Sequence, residues 1–102
     1  MKKCYIFLTN GFEEIEAIAT IDILRRAGLD VVTVSVEDSL EVKGSHNITV
    51  KADTGFAVNN CSDAEILVLP GGTLRLGEFE NLAELLKKHN AEGKKIAAIC
   101  AA

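Results

Sequence analysis

An α/β sandwich with a parallel sheet is the fold class this sequence predicts, and three observations carry the prediction. Four short runs, at residues 3–9, 30–36, 65–69 and 95–99, are apolar throughout rather than alternating, as strands buried on both faces are. Helical patterns separate the first from the second and the third from the fourth. Glycines punctuate the exits of these elements at Gly11, Gly28, Gly71, Gly72 and Gly93.

The first strand, Cys4 to Thr9, is rich in β-formers and is broken by Asn10-Gly11. Glu13 to Ala27 then reads as helix, with Glu13 and Glu14 as solvated carboxylates in its first turn and Arg25 and Arg26 in its last. Gly28 stops it. Asp30 to Val36, almost wholly β-branched, is the second strand. Residues 40–54 alternate weakly and predict a peripheral hairpin around Gly44. Glu65 to Leu69 is a buried strand closed by Pro70-Gly71-Gly72. A helix over Asn81 to His89 and a last strand over Ile96 to Ile99 complete the chain.

At 102 residues there is room for one core and one domain. A content of 48% hydrophobic and 25% charged residues, with a single proline, excludes wholesale disorder. The net charge of −4 and the lack of any basic run longer than two exclude specific nucleic-acid binding on electrostatic grounds. The apolar run after Lys2 and Lys3 is too short for a signal peptide, and no segment has the length of a membrane span. Three cysteines, Cys4, Cys61 and Cys100, show neither paired nor metal-type spacing, so free thiols and a cytoplasmic address are expected.

The first helix is apolar on two sides. Ile15, Ile18, Ala19 and Ile23 form one face, and Ala17, Ile21 and Leu24 the other, so a second subunit is expected on whichever face the sheet leaves open. Asp22 falls within the first face, so either it has a buried partner or the helix docks by a different face.

Right-handed crossovers place all strand-to-helix turns along one edge of a parallel sheet, where ligands bind. Three unusual turns therefore meet there: Asn10-Gly11 leading to Glu16, Pro70-Gly71-Gly72, and Cys100. Cys100 follows an apolar strand and has Ala98 and Ala102 two residues to either side, the small neighbours that a nucleophile elbow requires. Glu16 lies at the margin of an apolar face, where a partly desolvated carboxyl can hydrogen-bond a thiolate. Gly71 and Gly72 let backbone amides approach an anion closely. Cys4, at the opposite edge, and Cys61, in a polar loop, read as structural. His46 and His89 read as non-catalytic, and no zinc-type spacing, Walker loop or Ser-His-Asp arrangement is present.

Four segments, Gly11-Phe12-Glu13-Glu14-Ile15-Glu16-Ala17, Asp22-Ile23-Leu24-Arg25-Arg26-Ala27-Gly28, Leu67-Val68-Leu69-Pro70-Gly71-Gly72 and Ala97-Ala98-Ile99-Cys100-Ala101-Ala102, closely resemble the ThiJ/PfpI superfamily, nearest its protein-deglycase branch. The resemblance spans the whole chain in order. It implies a flavodoxin-like fold, usually a homodimer built partly through the first helix. It also implies that Cys100 is the reactive, oxidisable thiol, that Glu16 hydrogen-bonds its sulfur, and that Gly71 and Gly72 line an anion pocket with the amide of Ala101. Activities of the superfamily include removal of methylglyoxal and glyoxal adducts from proteins or nucleotides and a cofactor-free glyoxalase III reaction. Redox sensing, chaperone action and, in another branch, cysteine peptidase activity also occur. Two departures follow. The C-terminal half of the family domain, with its neighbouring histidine, is not in this sequence, so a fragment, a clipped chain whose other half stays associated, or an incomplete record is expected. And where relatives carry an arginine near the pocket, Ser45-His46 stands, which makes His46 a candidate pocket cation.

Two chemistries compete for this site. In an enzyme, the Cys100 thiolate adds to a 2-oxoaldehyde, the glycine amides hold the oxyanion, and Glu16 moves the proton. In a sensor, the same thiol is oxidised to sulfenic and sulfinic acid.

Overall fold

The computed structural model describes residues 3–56, 63–72, 80–93 and 95–98. In chain order the elements are β1 (Lys3–Leu8), α1 (Glu14–Arg26), β2 (Asp30–Ser35), β3 (Glu41–Lys43), β4 (Thr49–Lys51), β5 (Thr54–Gly55), β6 (Ile66–Leu69), α2 (Glu80–Ala91) and β7 (Lys95–Ala98). Five strands form one sheet in the order β5-β2-β1-β6-β7, and β3 pairs with β4 apart from it. Every pairing within the large sheet is parallel. The α/β, flavodoxin-like architecture expected from the sequence is therefore the one observed.

β1 is the central strand, and its side chains explain the layering. Tyr5 and Phe7 point to one face, where they pack with Val34, Leu67 and Leu69 beneath Leu85 and Leu86 of α2. Cys4, Ile6 and Leu8 point to the other, with Val31 and Val68 beneath Ala17, Ile21 and Leu24 of α1 and Val42 of the hairpin. A strand covered on both faces has no polar side to show, which is why its sequence does not alternate.

The charges on α1 follow the helix dipole. The Glu13 side chain caps it, accepting from the Ile15 amide at 2.8 Å, and Arg25 and Arg26 occupy the last turn. Gly28, at φ +89°, turns the chain out of the helix so that the Leu29 amide reaches the Leu24 carbonyl. The face bearing Ala17, Ile21 and Leu24 meets the sheet, while Ile15 and Ile23 are 77% and 63% exposed. Asp22 consequently stands in solvent and pairs with Arg26 at 3.1 Å, so it needs no buried partner: the helix docks by its other face.

Two expectations are revised. The hairpin closes at Lys51 rather than near residue 54, and Thr54–Gly55 instead adds a two-residue strand beside β2. Asp53 makes that switch. It accepts from the Thr33 amide at 3.0 Å while its own amide donates to Thr33 Oγ1 at 2.8 Å. The second revision concerns Glu14, which is not a solvated helix-start charge but a buried one.

Candidate active site at the carboxyl edge of the sheet

The order β1-β6-β7 sets three strand exits side by side on one edge. The first exit passes through Asn10 and Gly11 into α1, with Phe12 buried beneath it. The second is Pro70-Gly71-Gly72. The third leads from Ala98 towards Cys100 and Ala101, which lie outside the described residues, as does Cys61. The register places Ala98 opposite Leu69. By count, then, Cys100 follows its strand by the same two residues as Gly71.

The first two exits are tied to each other by a reciprocal pair of hydrogen bonds. The Glu13 amide donates to the Gly71 carbonyl at 2.9 Å, and the Gly71 amide donates to Glu16 Oε1 at 3.1 Å. Glu16, half-buried one turn into α1, is thereby fixed at the edge rather than left to solvent. Gly72 adopts φ +102°, and a Cβ there would sit 2.9 Å from the Gly11 carbonyl oxygen and collide with the Glu13 amide. Both the backbone angle and the close approach require glycine. Of the residues expected to line an anion pocket, Gly71 and Gly72 are thus at the edge with Glu16. The Gly71 amide is engaged by the Glu16 carboxylate, so a bound anion would share that donor.

The hairpin closes over the start of α1. The Gly11 amide donates to the Lys43 carbonyl at 2.8 Å, the Lys43 amide to Asn10 Oδ1 at 3.1 Å, and the Ser45 amide to the Phe12 carbonyl at 2.8 Å. On the opposite flank Thr9 Oγ1 donates to the Glu37 carboxylate, whose Oε2 also takes the Asn10 amide at 2.9 Å.

Glu14 is the residue that sequence reasoning missed. Its Oε2 accepts from the His46 amide at 2.6 Å and the Ile48 amide at 3.3 Å. Its Oε1 accepts from Ser45 Oγ at 3.2 Å and lies 3.0 Å from His46 Nδ1. Burial pushes this carboxyl up, but the bonds from the His46 ring and from backbone amides outweigh burial and hold it at about 2. His46 moves the other way: its hydrogen bond to Glu14, and then the charges of Glu14 and Glu13, raise it against a small opposing effect of burial. The signal was present in the helix wheel. Glu14 precedes Ala17, Ile21 and Leu24 by three, seven and ten residues, so it belongs to the face that meets the protein.

His46 itself is exposed, and its Nδ1 lies 3.8 Å from Glu13 Oε2. Together with Ile15 and Ile48 these three polar residues line a shallow recess. Cys4, by contrast, is buried in the core, and burial pushes its thiol up, away from the reactive thiolate.

Among the described residues no helix is long and apolar enough to cross a membrane. The signature of the DJ-1/PfpI family matches residues 2–102. The protein dj-1beta of Drosophila melanogaster is 36% identical over 104 residues, covering 99% of this chain and 56% of that protein. Deglycase PfpI of Pyrococcus furiosus is 36% identical over 98 residues, covering 93% of this chain and 58% of that protein. Among solved structures, oxidized Toxoplasma gondii DJ-1 superposes with a TM-score of 0.95 at 40% identity, over 99% of this chain and 56% of that one. The chain thus spans little more than half the length of these relatives. On its signature, its sequence and its fold, the chain belongs to the DJ-1/PfpI family.

Proposed function

We propose that the protein is a cofactor-free, cysteine-dependent deglycase or glyoxalase III acting on methylglyoxal, glyoxal or their adducts on protein and nucleotide, with Cys100 as nucleophile. The observation that supports it is the pairing of Glu16 with the Gly71 amide at the edge onto which the Cys100 strand runs. In this reading the thiolate adds to the aldehyde carbon and the carbonyl oxygen becomes the oxyanion of a hemithioacetal. The amides of Gly71, Gly72 and Ala101 stabilise that charge. Glu16 then takes the proton from the former aldehyde carbon and returns it to the neighbouring carbon, which leaves a thioester of the 2-hydroxy acid. Water hydrolyses the thioester and restores the thiol. His46, held on the carboxylates of Glu13 and Glu14, adds positive charge at the same end of α1. Related proteins at 34% and 36% identity carry the name deglycase, which favours this reading over a peptidase.

The exposed face of α1, with Ile15, Ile18 and Ile23, is the surface through which we propose a homodimer forms. The free, buried thiol of Cys4 suits a reducing compartment such as the cytoplasm.

The test is conversion of methylglyoxal to lactate by the full-length protein. Wild type is expected to turn over, Cys100→Ser to fall to the background rate, and the product to form without added thiol or metal. Normal turnover by Cys100→Ser would overturn the assignment. A second reading, an oxidation sensor with chaperone action, draws on the oxidized state of the Toxoplasma relative. It predicts that limited peroxide adds oxygen to Cys100 before Cys4 or Cys61, as mapped by peptide mass.

A further inference from the structure

The sequence holds no metal-type spacing, yet folding assembles a ligand set from two distant segments. A carboxylate oxygen of Glu13, a carboxylate oxygen of Glu14 and His46 Nδ1 all lie within 4.8 Å of one another. We propose that these three groups form a binding site for a divalent cation of the zinc type, at the junction of α1 and the hairpin.

The way each ligand is held supports the assignment. Glu14 uses Oε2 to accept the His46 and Ile48 amides, while its Oε1 accepts from the Ser45 hydroxyl and faces the imidazole. Glu13 uses Oε1 to cap α1 at the Ile15 amide, and its Oε2 faces the same nitrogen. Each carboxylate is therefore anchored to backbone by one oxygen and presents the other to a common point. Anchoring of this kind is what fixes ligand orientation in metal sites. Gly44 contributes by absence: a Cβ there would stand 2.6 Å from Glu14 Cγ and displace the carboxylate from this position.

The distances suit a small cation. Ligand atoms at about 2.0–2.2 Å from a common centre stand about 3.0 Å apart at right angles and about 3.4 Å apart in a tetrahedron. His46 Nδ1 is 3.0 Å from Glu14 Oε1 and 3.8 Å from Glu13 Oε2. The first separation already fits, whereas the Glu13 oxygen, within 4.8 Å of the other two ligand atoms, must close in on both, and its side chain is partly exposed. Two carboxylates and a neutral imidazole sum to two negative charges, which a dication cancels, the proton between ring and carboxylates leaving to solvent. One nitrogen with two oxygens selects zinc, cobalt or nickel over magnesium and calcium, which take oxygen alone. The open side of the recess leaves room for water as the remaining ligand. The inference stands on these residues and does not depend on the thiol chemistry proposed above.

The experiment is a titration of the metal-stripped, reduced full-length protein with Zn²⁺ against a chromogenic chelator, repeated with Co²⁺ under visible spectroscopy. One equivalent is expected to bind per chain, with a Co²⁺ spectrum free of thiolate charge transfer and undiminished by Cys100→Ser. Zinc should move the His46 Nδ1 resonance more than Nε2 in a ¹⁵N-correlated spectrum. His46→Ala and Glu13→Gln, both at accessible positions, should each weaken binding about tenfold or more while leaving the circular dichroism unchanged. Binding that survives both substitutions, that carries a thiolate band, or that is absent from the wild type would overturn the site.

Discussion

Glu14 and Glu16 stand two residues apart in the same turn of the same helix, and the fold treats them in opposite ways. Glu14 faces the hairpin, is 4% exposed, and receives bonds from three residues of the segment 45–48. Glu16 faces the Pro70-Gly71-Gly72 turn, is half-buried, and takes the Gly71 amide. A helix turn rotates residues two apart by about 200°, so one carboxylate is built into the scaffold while the other is presented at the strand edge. Chemical type and distance along the chain do not separate the two roles; the element each one faces does.

The largest test of that difference is activity. Glu16→Gln keeps the side chain's size and its acceptor for the Gly71 amide but removes the ionisable proton. It should lower methylglyoxal turnover by about 10²–10⁴-fold with the urea midpoint nearly unchanged. Glu14→Gln should do the reverse, lowering the midpoint clearly while the residual folded protein retains turnover. If both variants lost activity equally at unchanged stability, the scaffold role of Glu14 would be wrong.

Backbone substitutions come next in size. Gly72→Ala introduces a Cβ against the Glu13 amide at a left-handed angle, and should cost about 1–3 kcal/mol from crowding and strain. Because it pushes the edge turn away from α1, it should also slow alkylation of Cys100. Gly44→Ala crowds the Glu14 carboxylate instead and should cost a similar or smaller amount by crowding alone, about 1–3 kcal/mol, with Cys100 alkylation untouched. Equal effects of the two alanines on alkylation would show that the hairpin and the edge turn move as one body.

These regions also differ in how much of them the sequence discloses. The strands β1, β2, β6 and β7 are legible because a strand covered twice must be apolar throughout, and α1 is legible because its caps and end charges obey rules local to the helix. The edge with Glu16, Gly71 and Gly72 is legible for a related reason: parallel topology alone brings those turns together. The Glu14 clamp is not. Its partners lie more than thirty residues away, and Ser45 and His46 carry no local mark of where the hairpin will fold. The dipole rule, which correctly describes Glu13 as a cap, describes Glu14 equally well and so hides it. β5 escapes because two residues carry no period at all, and its position is set by the Asp53–Thr33 bonds rather than by pattern. The elbow at Cys100 is read from alanine spacing and lies outside the described residues.

The smallest effect is the pH dependence of the clamp, measured with chelator present so that only protons compete. Glu14 is lowered from an ordinary 4.5 to about 2, so its bonds contribute stability in full above the ordinary value. That contribution is lost as the pH falls from about 4.5 through about 2. His46 is raised above its ordinary 6.5, so its contribution is present in full below that value and fades as the pH rises through the higher folded value. The charged pair is therefore complete between these limits, and wild-type stability should carry a shallow maximum there that salt and solvent exposure keep small. Urea midpoints taken across this range for wild type, His46→Gln and Glu14→Gln separate the contributions. His46→Gln should remove the decline on the alkaline side and shrink the one on the acid side, where the backbone amides still hold Glu14. Glu14→Gln should flatten both sides, since the imidazole then has only Glu13 nearby. A wild-type decline above the ordinary histidine range that persisted in His46→Gln would assign it to another group and leave the hairpin clamp resting on Glu14 and backbone alone.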